Sequence, residues 1–274
     1  MTSVQVWPEP YHAAAVVTVN FDGESVERRT MPQGPLWGRY SYGRYGAQVG
    51  IHRLLDVLGR YEVRVTFFIP GWDAERYPDV MEAIVRQGHE VAGHGYVHED
   101  FSALSVEEQQ AVLERSEEAF KRVFGERPKG WRAPDGLMTK DTRPLLLARG
   151  YRYDSSFCDD DVPYLVSDTH GRRLVELPVF ATASDRPYYQ ARRSPWVVEA
   201  AWREELEAVY QAGGLFNLTI HPRGDFGSGR AVRLGAVEAI LQELREYPRL
   251  WIATCDEIAD WMLRSAEGRP VWPA

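Results

Sequence analysis

Cysteine is scarce. The 274 residues hold two, Cys158 and Cys255. That is too few for a disulfide framework, and neither belongs to a ligand-spaced pair, so free thiols in a reducing compartment are expected. Clusters of Lys and Arg are missing as well. The net charge is -8, and basic residues are scattered or sit beside acids, as in "REELEAVY". A nucleic-acid partner is excluded on this reading, because phosphate neutralisation needs a basic patch. No apolar run approaches the roughly 20 residues of a membrane helix. The opening "MTSVQVWPEPYH" lacks the basic and apolar regions of a secretory signal. A soluble, cytoplasmic protein with no membrane partner is expected.

Hydrophobic residues make up 44% of the chain, enough for a sizeable core. Short apolar runs alternate with amphipathic stretches. Strands are predicted at 13–21, 63–70, 89–93, "KGWRAP", "YRYDSS", "RLVELPV", 215–220 and "RLWIAT". Helices are predicted at 47–61, 76–88, 105–125, "TKDTRPLLLARG", "PWVVEAAWREELEAVYQAGG", "VRLGAVEAILQELREY" and "CDEIADWML". In 105–125, Ser105 and Glu108 form a capping-box pattern and Gly125 ends the run. About eight β-α units predict a parallel sheet closing into a barrel. No linker or repeat interrupts it, so residues 1–274 are read as one domain. Segment 25–46 breaks the alternation. A structureless stretch of that length is usually functional or disordered. Its Trp37, Tyr40, Tyr42 and Tyr45, with Arg39 and Arg44, argue for a lid or a subunit contact, and a homo-oligomer is expected.

In barrels of this kind, chemistry sits where strands end. Four polar clusters fall there: "VNFDGES" with Asn20, Asp22 and Glu24; "AGHGYVHED" with His94 and His98; "WRAPDG" with Arg132 and Asp135; and "LTIHPRGD" with His221. His94 and His98 would share a face if their turn were helical. Imidazoles suit a zinc-like ion, and Asp22 can supply a third donor with a position left open for water. Two histidines hydrogen-bonded within a loop are the alternative, and spacing alone leaves both standing. His221 is either a satisfied buried histidine or a general acid. Arg132, between Trp131 and Pro134, is read as orienting a carboxylate. "GDFGSG" lacks the strand-turn-helix context of a phosphate loop and is read as a turn.

In order along the chain, "TFFIPGW", "GHEVAGHGYVHED", "WRAPDG", "YDSSFCDDDVPY", "ELPV" and "TIHP" resemble the polysaccharide deacetylase family, carbohydrate esterase family 4. The likeness is to its peptidoglycan-deacetylase-like and imidase-like branch, over roughly residues 15–223. The resemblance implies a distorted (β/α) barrel, usually counted as seven-stranded. It implies a divalent metal, most commonly zinc, on Asp22, His94 and His98, and hydrolysis of a carbon–nitrogen bond that is not a peptide bond. Arg132 and His221 match the arginine of the third motif and the general-acid histidine of the last. The departure is Asn20, where deacetylases of the family usually place the aspartate base. Glu24 and Asp135 are candidate replacements for that base. Metal-independent allantoinases look similar around the first strand but lack the full triad. The expected substrate is an N-acetylated sugar or, preferably, a small cyclic amide or imide. A catalytically weak binding protein is the alternative.

Overall fold

The computed structural model describes residues 6–267 and 269–274. Ten strands form its sheet: β1 (Ala13–Asn20), β2 (Thr66–Ile69), β3 (Glu90–Gly93), β4 (Gly130–Trp131), β5 (Tyr153–Asp154), β6 (Tyr164–Ser167), β7 (Arg173–Glu176), β8 (Leu215–Ile220), β9 (Leu250–Ala253) and β10 (Val271–Pro273). Their order is β10-β6-β7-β5-β4-β3-β2-β1-β8, with β9 also on β1. Eleven α-helices accompany them: α1 (Ser25–Thr30), α2 (Tyr42–Tyr45), α3 (Ile51–Arg60), α4 (Gly71–Arg76), α5 (Pro78–Arg86), α6 (Val106–Phe124), α7 (Thr142–Ala148), α8 (Asp185–Gln190), α9 (Pro195–Ala212), α10 (Ala231–Glu243) and α11 (Cys255–Arg264). None of the described helices is long and apolar enough to cross a membrane.

β1 is the axis of the distortion. It pairs with β8 along Ala14–Val19, and shares its other edge between β9 at Ala13–Val16 and β2 at Thr18–Asn20. Side chains alternate along a strand. Ala13, Ala15, Val17 and Val19 therefore pack outward into the core against α3, α9 and α10, while Ala14 and Val16 point inward beside Phe68, Tyr153 and Val175. Further up the same inward face come Thr18 and then Asn20. β8 repeats this: Phe216, Leu218 and Ile220 join the outer core, and Asn217 and Thr219 point inward. The barrel interior is thus apolar at one end and polar where the strands finish.

Helix α6 carries both Ser105–Glu108 capping bonds, and Gly125 closes it at φ 81°. Other elements depart from the sequence reading. The expected all-parallel barrel of seven or eight strands has ten, one pair of them, β6 and β7, antiparallel. The missed β6 belongs to a hairpin whose turn is held by Asp168 Oδ1, accepting from the backbone of His170 and Arg172. The predicted helix 76–88 is α5, which starts at Pro78, and the short α4 before it was not expected.

Segment 25–46 is not structureless. It contains α1, a 3₁₀ turn at Gly38–Ser41 and α2, and runs through a π-helical turn, Gly46–Gly50, into α3. It is wedged in place by glycines. A Cβ on Gly43 would lie 2.4 Å from the Gly23 carbonyl oxygen, and one on Gly50 would lie 1.8 Å from that of Pro222.

Candidate active site

Three clusters meet at the C-terminal ends of β1, β3 and β8. Asp22 follows β1 with φ 37°, a left-handed conformation that costs a non-glycine residue energy. Two groups hold it there. Buried Asp73, in the first turn of α4, accepts from the backbone N–H of Gly23 at 3.0 Å and of Ser25 at 3.2 Å. Buried Arg223 donates to the carbonyls of Asp22 and Gly23, each at 3.1 Å, and is itself paired with Glu27 and Asp225.

His94 and His98 do lie together, but not on a helical turn. Their loop folds through left-handed Gly95 (φ 73°) and His98 (φ 59°). Glu99 braces it by accepting from the backbone N–H of Tyr96 and Val97. The Arg132 carbonyl lies 2.8 Å from His94 Nδ1, which orients the ring so that Nε2 faces Asp22. His94 Nε2 and His98 Nε2 lie 3.4 and 3.5 Å from Asp22 Oδ1.

These three facing atoms are buried and have no hydrogen-bond partner among the described residues. A buried polar atom left unpaired costs about 1–3 kcal/mol, so three on one point call for a shared partner. Burial pushes the His98 imidazole down to about 4. Burial alone would raise the Asp22 carboxyl, but His98, His94 and His221 outweigh it and hold that group well below its ordinary range. For His98 and Asp22 these directions favour the ligand-competent forms, neutral imidazole and carboxylate. Two nitrogens and one carboxylate oxygen fit a divalent ion with open positions.

His221 stands across from this group, its Nε2 3.7 Å from Asp22 Oδ2. Its Nδ1 is 2.6 Å from Asp185 Oδ1, and Asp185 Oδ2 accepts from the backbone N–H of His221 and Ser228 and from the Ser228 hydroxyl. Asp185 opens α8 and was missed in the sequence, where it reads as an ordinary acid in a helix's first turn.

Arg132 does not orient a carboxylate. It donates to Asn20 Oδ1 at 3.0 Å, to Thr18 and Thr219 hydroxyls, to Ser155 and to Asn217, and covers the Phe68 ring at 4.0 Å. With its amide oxygen held by Arg132, Asn20 lines a cavity of about 400 Å³ together with Thr219, His221 and Ser155.

Of the two candidate replacement bases, one lies outside the cavity and one lines it. Glu24 is buried away from the cavity, accepting from Arg44 and from the Tyr77 hydroxyl. Asp135 lines the cavity but is engaged by Arg29 at 2.9 Å and Arg186 at 2.5 Å. Burial opposes ionisation of Asp135, yet His98 and these arginines bring its pKa down to about 2, which makes it a poor proton acceptor. None of Trp37, Tyr40, Tyr42 and Tyr45 lines the cavity, and the segment 25–46 meets the loop after β1 through Gly43. A larger cavity of about 750 Å³, beside the N-terminal end of β3, contains none of these groups.

Residues 40–153 match the family model described as polysaccharide deacetylase. Over 258 residues the chain is 30% identical to the peptidoglycan deacetylase of Helicobacter pylori, spanning 82% of this chain and 87% of that protein. The chain belongs to the polysaccharide deacetylase family. It is a hydrolase acting on carbon–nitrogen bonds other than peptide bonds, as members of that family are. A crystal structure of a putative polysaccharide deacetylase from Mycobacterium smegmatis superposes with a TM-score of 0.90 at 34% identity, covering 98% of this chain and 96% of that one. A PuuE allantoinase shares the fold, with a TM-score of 0.83 at 24% identity over 94% of this chain and 93% of that one. Among family deacetylases a divalent metal is the rule, and the Asp22, His94 and His98 donors suit one.

Proposed function

We propose that the protein is a divalent-metal amidohydrolase, zinc being the first candidate, and that its substrate is a small amide rather than a polymer. The observation that carries the reading is the convergence of three unpartnered buried donor atoms with the His221–Asp185 pair at one end of the barrel. When bound, the ion would polarise a carbonyl and lower the pKa of water from 15.7 to about 7. The rest falls to the chain. His221 protonates the departing nitrogen, within reach of the same point as the triad. Asp185 holds the Nδ1–H, which leaves Nε2 to face the substrate. Asn20 cannot accept a proton; held by Arg132, it donates to a substrate oxygen. A donor in the base position suits an amide with a second carbonyl, such as an imide, whose electron-poor carbon needs less help from a base. The second reading, an N-acetylated amino sugar, is favoured by the relatives, whose names describe peptidoglycan deacetylases.

A panel of imides, hydantoins and N-acetyl amino sugars, run on protein of measured metal content, tests this. Hydrolysis of at least one class supports the reading; metal-replete protein inert on all of them overturns it. Asp185→Asn is expected to lower kcat by roughly 10²-fold or more with KM little changed, because the imidazole loses the partner that fixes its tautomer. Asp73→Asn keeps one acceptor where Gly23 N–H, Ser25 N–H and the Ser25 hydroxyl need two oxygens. Its metal affinity, measured by competition with a chelator, is expected to drop by about 10–100-fold, the usual cost of losing an outer support of a metal ligand.

A further inference from the structure

The charged groups lining the cavity are unevenly signed. They are Arg132, Arg186 and Asp135, with His221 beside them. Arg132 is buried, and no carboxylate approaches within ion-pair distance; all its partners are neutral oxygens. The residue at the end of β1 that would neutralise it, were it an acid, is Asn20. Asp135 is shared by Arg186 from one side and Arg29 from the other. Buried Asp154 and Glu176 act on Arg132 from beyond ion-pair distance, and Asp22 and Asp185 lie deeper. Asp22 faces the two metal-ligating imidazoles, and Asp185 is spent on His221 and Ser228. Among the cavity-lining side chains two guanidiniums thus stand against one carboxylate, on a protein whose net charge is -8. Local charge in a low-dielectric cleft governs what settles there.

Arg186 is the cation with donors to spare. Its Nη1 is bound to Asp135 Oδ1, and its guanidinium lies over the Phe226 ring at 4.8 Å. Its Nε and Nη2 meet no described hydrogen-bond acceptor. It sits in α8 on the cavity wall beside Gln190, one residue from Asp185, so the element that positions the proton donor also presents this guanidinium. A planar fork with free N–H groups, held still by an ion pair and a ring, suits a carboxylate.

We propose that Arg186 forms an anion subsite in the cavity wall, and that the substrate carries a carboxylate beside its scissile amide. The inference rests on the amidohydrolase reading for the word substrate, but not for the binding. Arg186 positions the ligand; it does not touch the reacting bond. Hydrolysis would add water across the C–N bond, with the acyl carbon taking the oxygen and the nitrogen a proton, and the carboxylate held by Arg186 would be unchanged.

N-acetylglycine and its carboxamide, N-acetylglycinamide, differ only in this charge. Their binding to metal-loaded wild-type protein, Arg186→Gln and Arg186→Lys, followed by calorimetry, tests the subsite. The acid is expected to bind wild type about tenfold or more tightly than the amide, as charge-assisted hydrogen bonds do. The ratio should fall toward one in Arg186→Gln, partly return in Arg186→Lys, and shrink with added salt. Any attraction of the acid to the bound ion is common to all three proteins, so the change in ratio isolates Arg186. An equal ratio in wild type and Arg186→Gln overturns the proposal. Preference for the acid without turnover of any amide would support the subsite and sink the hydrolase reading. Turnover without the preference would do the reverse.

Discussion

Stripping divalent ions with a chelator is expected to stop hydrolysis, and adding zinc or cobalt to restore it. His98→Ala should lower kcat/KM by on the order of 10³-fold, since an electrophilic ion supplies several kcal/mol of charge stabilisation and each 1.36 kcal/mol is tenfold. The same ion should also be visible without any substrate. Asp22 Oδ1, His94 Nε2 and His98 Nε2 are crowded together with no partner. A ligand that binds only the folded chain stabilises it by mass action, about 2.7 kcal/mol at a hundredfold excess over its Kd. The midpoint of thermal unfolding should therefore rise with zinc in wild type and move little in His98→Ala. Metal below about a tenth of an equivalent, with no recovery of activity and no thermal shift on addition, would refute the site, given the roughly stoichiometric occupancy such sites show.

His221→Ala is expected to slow turnover by about 10²–10⁴-fold while metal content stays as in wild type. The expectation follows from where its two nitrogens lie. Nδ1 is committed to Asp185, and Nε2 points into the space beside Asp22 without belonging to the close triad. A substrate whose leaving group needs no proton should be spared in the variant: amides with electron-poor nitrogens should suffer less than those with basic ones. Stopped-flow or steady-state rates on such a series are the measurement. A uniform loss across the series would move His221 from proton transfer to substrate placement. Loss of the metal would move it into the coordination sphere.

Much of the fold could be read from local pattern. The strands that carry the site, β1, β2, β3 and β8, are short apolar runs bounded by turn residues, and α6 announces both ends through Ser105, Glu108 and Gly125. What local pattern misled was the path between chemical groups. The four-residue spacing of His94 and His98 suggested a helical face; they meet through two left-handed residues instead. Arg132 suggested a carboxylate partner, and met the amide of Asn20. Asp185 and Asp73 gave no signal, because each looks like an acid placed at a helix start for the sake of the macrodipole. Their partners are 36 and 48–50 residues away along the chain, and the two carbonyls that Arg223 holds about 200. Long-range contacts of this kind leave no period in a single sequence.

Gly43 presses on the backbone of Gly23, and Gly50 on that of Pro222, so one wall supports the loop after β1 and the loop after β8 together. A side chain added at Gly43 would press on Gly23, next to Asp22, and one added at Gly50 on Pro222, next to His221, so ion affinity would decline in the first case and proton delivery in the second. The stretch from Phe180 to Gln190 lines the cavity, joined to the centre by Asp185, by the Ser184–Thr219 bridge and by Arg186 on Asp135. Divergence toward new substrates has a free side and a locked side: residues such as Arg186 and Gln190 can drift with the ligand, whereas the 43–50 wedge can change only by abandoning the reaction.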